Sequence, residues 1–286
     1  MQYKYKYKYK YKVMEEKQEM QIIDSPDMIA GLTRAEIDVQ ISTAKRFPRD
    51  IAKSLRNIKS LATIDQETME SMFYHLERKD ANGEITDIDG LSVRMAEICL
   101  TCWGNIKAAT RIIANDGKKI TAQGVCYDLE NNVAVSSEVS RRITTKKGFT
   151  YSEDMQIVTG NAAAAIAFRN SVFKIIPKAV TKKLTDEIRA ELSKAVSGDK
   201  LKESRDKTLR AFRKLGVEEA EVLSYLGIKS KDGISSDMLV KLIGIGTAIK
   251  EGSTTADEVF RNSPERPVED RKEEMRGKGA KSVEMM

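Results

Sequence analysis

Histidine and tryptophan each occur once in this 286-residue chain, cysteine three times and proline five times. The lone histidine, His75, stands among Phe73, Tyr74 and Leu76. That setting is a packed or surface histidine, and one imidazole leaves little room for a serine–histidine–aspartate arrangement. Three cysteines are an odd number and too few for a disulfide framework, so a reducing cytoplasm is expected. No apolar run reaches about 18 residues, which argues against a membrane span and a membrane partner. The N-terminus has no apolar core of a secretion signal. No G-x-x-x-x-G-K-[ST] appears, so a P-loop ATPase is not expected.

Two constellations come close to chemistry and fall short. Cys99-x-x-Cys102 has the spacing of half a zinc site, which Cys126 and His75 would complete as a Cys₃His set. On a helix, however, cysteines three apart share a face with Leu91 and Met95, and cysteine is a common small core residue. Asp128-Leu-Glu130 hints at a metal-dependent nuclease, since paired carboxylates hold Mg²⁺. The lysine that usually follows such a pair is missing, and Asn131-Asn132 make a turn instead. The chain is therefore read as a non-enzyme, with no metal and no cofactor.

The net charge of +6 is unevenly spread. Residues 1–12 hold five lysines and no acid, whereas residues 13–90 hold ten basic against sixteen acidic side chains. Residues 91–183 hold fourteen basic against seven acidic, and the remainder balances at twenty each. A positive field confined to a short tail and one central block points to a polyanion held by the middle of the chain. The tail itself, "MQYKYKYKYKYK", alternates tyrosine and lysine. As a lone strand it has nothing to fix its register, and a mobile segment is expected. Its rings and ammonium groups suit a supporting role on single strands. The simpler and preferred reading is a repeat expansion, or a true start at Met14.

Periodicity predicts helices from Thr33 to Phe47, over Arg49 to Leu61, and again through "ETMESMFYHLE" after Thr63-Ile-Asp-Gln66. "KDANGEITDIDG" reads as a loop or short hairpin, and "LSVRMAEICLTCW" as a helix. Three strands follow, "NIKAATRII", "KKITAQGVCYDL" and "VAVSSEVSRRITT", joined at Asn115-Asp116-Gly117 and Glu130-Asn131-Asn132. A long helix runs from Ser152 to Ile176, and helices are expected over 178–196, 200–214, 217–226 and 236–250. The fold class is α+β: a small antiparallel β-meander packed by a long helix, with N-terminal helices and a helical C-terminal module. The expected divisions are a disordered tail (1–30), an α+β core (31–180), the helical module (181–261) and a disordered tail (262–286).

The basic block supplies the candidate site. Arg141, Arg142, Lys146 and Lys147 flank the end of the third strand, with Phe149 and Tyr151 just beyond. Arg169, Lys174 and Lys178 belong to the long helix, where Lys174 and Lys178 are spaced to share a face. Ala162 to Ala165 allow a close approach of other backbone. These cations and rings are expected to line one groove for a sugar-phosphate chain, with stacking on Tyr127, Phe149 or Tyr151.

The run "GLSVRMAEICLTCWGN", the meander "QGVCYDLENNVAVSSEVSRRITT" and the helix "NAAAAIAFRNSVFKIIPK" resemble, in that order, the core of phage single-strand annealing recombinases of the RecT and Red-beta kind. The resemblance covers about residues 66–180. It implies an ATP-independent protein of bacteriophage recombination that coats single-stranded DNA as a ring or filament of identical subunits. It also implies a basic groove drawn from the hairpin and the long helix, and a partner such as a host single-strand-binding protein or a phage exonuclease. Two other readings remain open at this stage: a phage structural or adaptor protein with a basic surface, and a metal-dependent nuclease.

Overall fold

A computed structural model describes residues 26–79, 85–145 and 147–261, with side chains described for 35–78, 86–145 and 147–261. The Tyr-Lys repeat, the segment from Asn262 onward and Lys146 lie outside the described residues. The chain divides into a unit ending at Thr43 and a unit from Ala44. The described part of the first is helical: α1, Pro26–Arg46, begins seven residues before the Thr33 box and runs on into the second unit. Pro26 occupies the first helical position, where a missing N–H costs nothing.

Within the second unit, α2 (Ile51–Ala62) starts at Asp50, whose carboxylate accepts the Lys53 N–H at 2.9 Å. The short α3 (Gln66–Ser71) is capped by Asp65, which accepts the Thr68 N–H at 2.7 Å. Here the structure departs from the helix predicted through Glu77. Residues Phe73–Lys79 form strand β1, paired antiparallel with β2, Ile85–Leu91, in the segment read as a loop or hairpin. The apolar spacing of Met69, Met72, Phe73 and Leu76 fits a helix, but pairing and burial override it. A glycine on each side makes that packing possible. A Cβ on Gly90 would stand 2.3 Å from the Tyr74 ring, and one on Gly244 2.9 Å from His75 Cβ.

Helix α4 (Val93–Trp103) then leads into the meander β3 (Ile106–Asn115), β4 (Lys119–Asp128) and β5 (Val133–Arg142), in spatial order β3-β4-β5. Helix α5 (Glu153–Ile175) lies across one face of this sheet. Its alanine-rich start is what permits the contact. Ala163 and Ala167 are buried against Ala122, and a Cβ on Gly124 would fall 2.2 Å from the Ala167 carbonyl oxygen. The α+β class and the helix–meander–helix order are as the sequence predicts.

The helices α6 (Lys178–Ala195), α7 (Leu201–Lys214), α8 (Glu219–Leu226) and α9 (Ser236–Lys250) follow. They do not stand apart as a module. One continuous core joins Ile58, Met95, Trp103 and Val172 to Leu184, Ile188, Phe212, Leu242 and Ile245. The apolar stripes of α6 and α9 are the other half of the core begun by α2, α3 and β1, so position 180 is not a packing boundary. No helix among the described residues is long and apolar enough to cross a membrane.

Candidate nucleic-acid interface

The meander has two unlike faces. Along β4, Ile120, Ala122, Gly124, Cys126 and Asp128 are buried toward the helices, while Lys119, Thr121, Gln123, Val125 and Tyr127 are exposed or half-exposed. Antiparallel partners share a face. Lys107, Ala109 and Arg111 of β3 therefore stand beside Tyr127, Val125 and Gln123. Ala134, Ser136, Glu138, Ser140 and Arg142 of β5 complete the same open face. Four cations and one carboxylate occupy it: Lys107, Arg111, Lys119 and Arg142 against Glu138. Most other side chains there are small, so the surface is flat, and Tyr127 is a half-exposed ring at one end. From Tyr127 to Lys119 the face extends roughly 26 Å at strand rise.

Cross-strand contacts hold this surface in shape. Arg111 donates from Nε and Nη2 to Gln123 Oε1 at 3.2 and 3.0 Å, and Gln123 donates onward to Glu138 at 3.3 Å. Thr121 and Ser140 hydrogen-bond at 2.9 Å. At the far end, Asp116 accepts the N–H groups of Lys118 and Lys119, which holds its carboxyl below the usual range. The chain after β5 folds back there: Ile143 N–H donates to the Lys118 carbonyl at 2.8 Å, and Thr150 Oγ1 to the Gly117 carbonyl at 2.9 Å. Lys147 is exposed and Phe149 is 70% exposed on this return loop.

Of the nine expected site residues, the eight that are described do not converge in one trough. Arg142, Lys147 and Phe149 gather at the end of the sheet just described. Lys146 lies outside the described residues. Tyr151 is half-buried, its N–H donating to the Ile143 carbonyl at 2.8 Å. Arg141 points the opposite way from Arg142, because strand alternation sends neighbours to opposite faces. Burial weakens the Arg141 guanidinium's hold on its proton; Glu258 opposes that effect, while Arg169 and Arg78 add to it.

Arg169 is 7% exposed and structural. It lies 3.4 Å from Glu251 and stacks over Tyr74 at 4.3 Å. Burial pushes the Glu251 carboxyl up despite the N–H of Val93 at 2.7 Å and the Arg169 charge. Lys174 donates to the Ser136 carbonyl at 2.8 Å, covering an edge acceptor of β5. Lys178 does not share a helix with it: Ile176 is extended ahead of Pro177, and Lys178 opens α6.

The two near-miss constellations are also resolved. Asp128 accepts Arg49 Nη2 at 2.6 Å, and Glu130 accepts the Arg49 N–H and Asn105 Nδ2, each at 2.9 Å. Burial works against the Asp128 charge, but Arg49 and Asn131 outweigh it and hold the carboxyl low. The pair thus forms a latch on Arg49 and Asn105. Arg49 also lies over Trp103 at 5.2 Å, and Asn105 takes a left-handed φ of 54° to reach the Phe47 carbonyl at 2.9 Å. The Trp103-Gly104-Asn105 turn therefore ties α4 and the meander to the chain before α2.

Burial raises the Cys99 thiol to about 12, with Cys102 adding to it, and the Cys126 thiol to about 11, with Asp128 adding to it. Such protonated thiols suit core packing, and His75 lies with Glu77 and Asp87 instead.

Sequence reasoning passed over Lys107, Arg111 and Lys119. Their signal was the alternation of the strands combined with pairing register, which places three separated cations along one face. A groove of about 790 Å³ elsewhere, among α3, α4, α5, α7 and α9, carries Glu67, Glu70 and Glu97 beside lysines and apolar side chains, a lining unsuited to a polyanion. No family model matches this chain, and neither a curated protein nor a solved structure matches it.

Proposed function

We propose that the protein binds single-stranded DNA on the open face of β3, β4 and β5 and promotes annealing of complementary strands without ATP. The observation that carries this reading is the four-cation face with Tyr127 at its end and small side chains between. Cations on such a face hold phosphates without regard to sequence and leave base edges free to find partners. A ring on a flat surface stacks on any base. No bond is made or broken, and no catalytic group is required. The helix–meander–helix order of the RecT-like resemblance supports the same reading, with the contact surface moved from the α5 side to the opposite face.

Self-association into rings or filaments is part of the proposal. Strand β3 is a sheet edge carrying exposed Ile112 and Ile113, and α5 begins with exposed Met155, Ile157 and Val158. Edges and apolar surface of this kind favour contact with a second copy.

The test mixes complementary labelled oligonucleotides with and without protein, without nucleotide, and follows duplex formation by energy transfer. Faster pairing, preference for single strands over duplex, and rings or filaments in micrographs are expected. Equal binding to duplex with no acceleration would overturn annealing and favour a basic adaptor surface. Cleavage on adding Mg²⁺ or Mn²⁺ would favour a nuclease.

A further inference from the structure

The β1–β2 hairpin gathers a set of titratable side chains that single-strand binding does not use. Strand alternation puts His75 and Glu77 on one face, and the register sets Asp89 opposite His75 and Asp87 opposite Glu77. His75 is 95% buried by its 5% exposure, and its two ring nitrogens differ. Nδ1 lies 2.7 Å from Asp89 Oδ1. Nε2 is buried, makes no hydrogen bond, and faces Asp87 Oδ1 at 3.6 Å. Donation of the Nδ1 proton to Asp89 assigns the tautomer that leaves the Nε2 lone pair directed toward the carboxylates.

The ligand atoms of His75, Glu77 and Asp87 lie within 4.8 Å of one another. Ligands about 2.1 Å from a tetrahedral ion are about 3.4 Å apart, so closure requires side-chain shifts of only about 1 Å. Three carboxylates, Glu77, Asp87 and Asp89, face two cations. Lys241 of α9 lies 2.7 Å from Glu77 and 3.7 Å from Asp87, and Arg189 lies 3.2 Å from Asp89.

We propose that His75 Nε2, Glu77 and Asp87 form a binding site for a first-row divalent cation, Zn²⁺ or Mn²⁺, with Asp89 orienting the imidazole from behind. One nitrogen and two carboxylate oxygens suit these ions, and a carboxylate on the far ring nitrogen is the usual support of a metal-binding histidine. Lys241 holds the carboxylates in the metal-free protein. Its ammonium competes for the same oxygens and withdraws on its flexible stem when the ion enters. All three ligands come from the two strands of one hairpin. An isolated two-stranded sheet is marginal, and a cross-strand ion staples it.

The full-length protein, stripped of metal by a chelator, is titrated with Zn²⁺, Mn²⁺ and Co²⁺ by calorimetry and absorption. One equivalent is expected to bind, with a cobalt spectrum free of sulfur-to-metal charge transfer. His75→Gln and Asp87→Asn should each weaken binding at least about tenfold, and Lys241→Met should tighten it. If His75→Gln fails to fold, Lys241→Met and Asp87→Asn decide the matter. No saturable binding to the wild-type chain, a thiolate charge-transfer band, or unchanged affinity in the folded variants would overturn the site. These readouts need no DNA, so their failure leaves the sheet-face proposal standing.

Discussion

Replacing Arg111, Lys119 and Arg142 together by alanine is the sharpest test of the sheet face. All three are exposed on one side of the meander and none forms an ion pair among the described residues; Arg111 is held by Gln123, a neutral side chain. Each phosphate neutralised on a single strand contributes about −0.7 to the slope of log affinity against log salt. Arg111, Lys119 and Arg142 predict a contribution of roughly −2.1 to that slope, which the triple variant should lose. Between 50 and 200 mM salt the wild type should thus lose about eighteenfold more affinity than the triple variant. Fluorescence anisotropy with a labelled oligothymidine across that range measures both. Arg169→Met is the control: its guanidinium is buried against Glu251 and Tyr74, so its slope should equal the wild type's. A triple variant retaining the wild-type slope, or a shallower slope in Arg169→Met, would refute the assignment of the open face.

Other outcomes are expected from the same geometry. Tyr127→Ala should weaken binding by about 1–3 kcal/mol at every salt concentration, leaving the slope unchanged, since stacking involves no counterion. Gly124→Ala puts a methyl against the Ala167 backbone. It should cost about 1–3 kcal/mol in denaturant melts, toward the upper end because a helix must move.

Arg49→Met leaves Asp128 buried without its cation and should cost about 3–5 kcal/mol at neutral pH. Asp128 has a lowered pKa in the fold, so its contribution is present above the unfolded carboxylate value and fades as pH falls through the folded one. The melting-temperature gap between wild type and Arg49→Met should therefore close in acid. Glu251 has the opposite sign. Its raised pKa means the fold favours the proton, so stability falls as pH rises from the unfolded value of 4.5 through the folded one. Arg169→Met should steepen that decline, as read from thermal melts between pH 4 and 8.

Local rules made much of this fold legible in the sequence. Turns at Asn115-Asp116-Gly117 and Glu130-Asn131-Asn132, alternation through β4, and Pro177 fixed the meander and the end of α5, because turn chemistry and proline geometry act within a few residues. The run Ala162 to Ala165 was rightly read as a close approach, with Ala163 buried against Ala122. What the sequence left undetermined is the fate of each charged side chain. Arg141 and Arg142 are neighbours in the chain and face opposite ways. Arg169 was indistinguishable from Arg142 until Glu251, 82 residues away, proved to be its partner. The strand over Phe73–Lys79 had a helical pattern that only pairing with β2 and burial under α9 could overturn. Charge is a property of a residue, but whether it is presented to a ligand or spent inside depends on contacts between distant segments, and those exist only once the chain has folded.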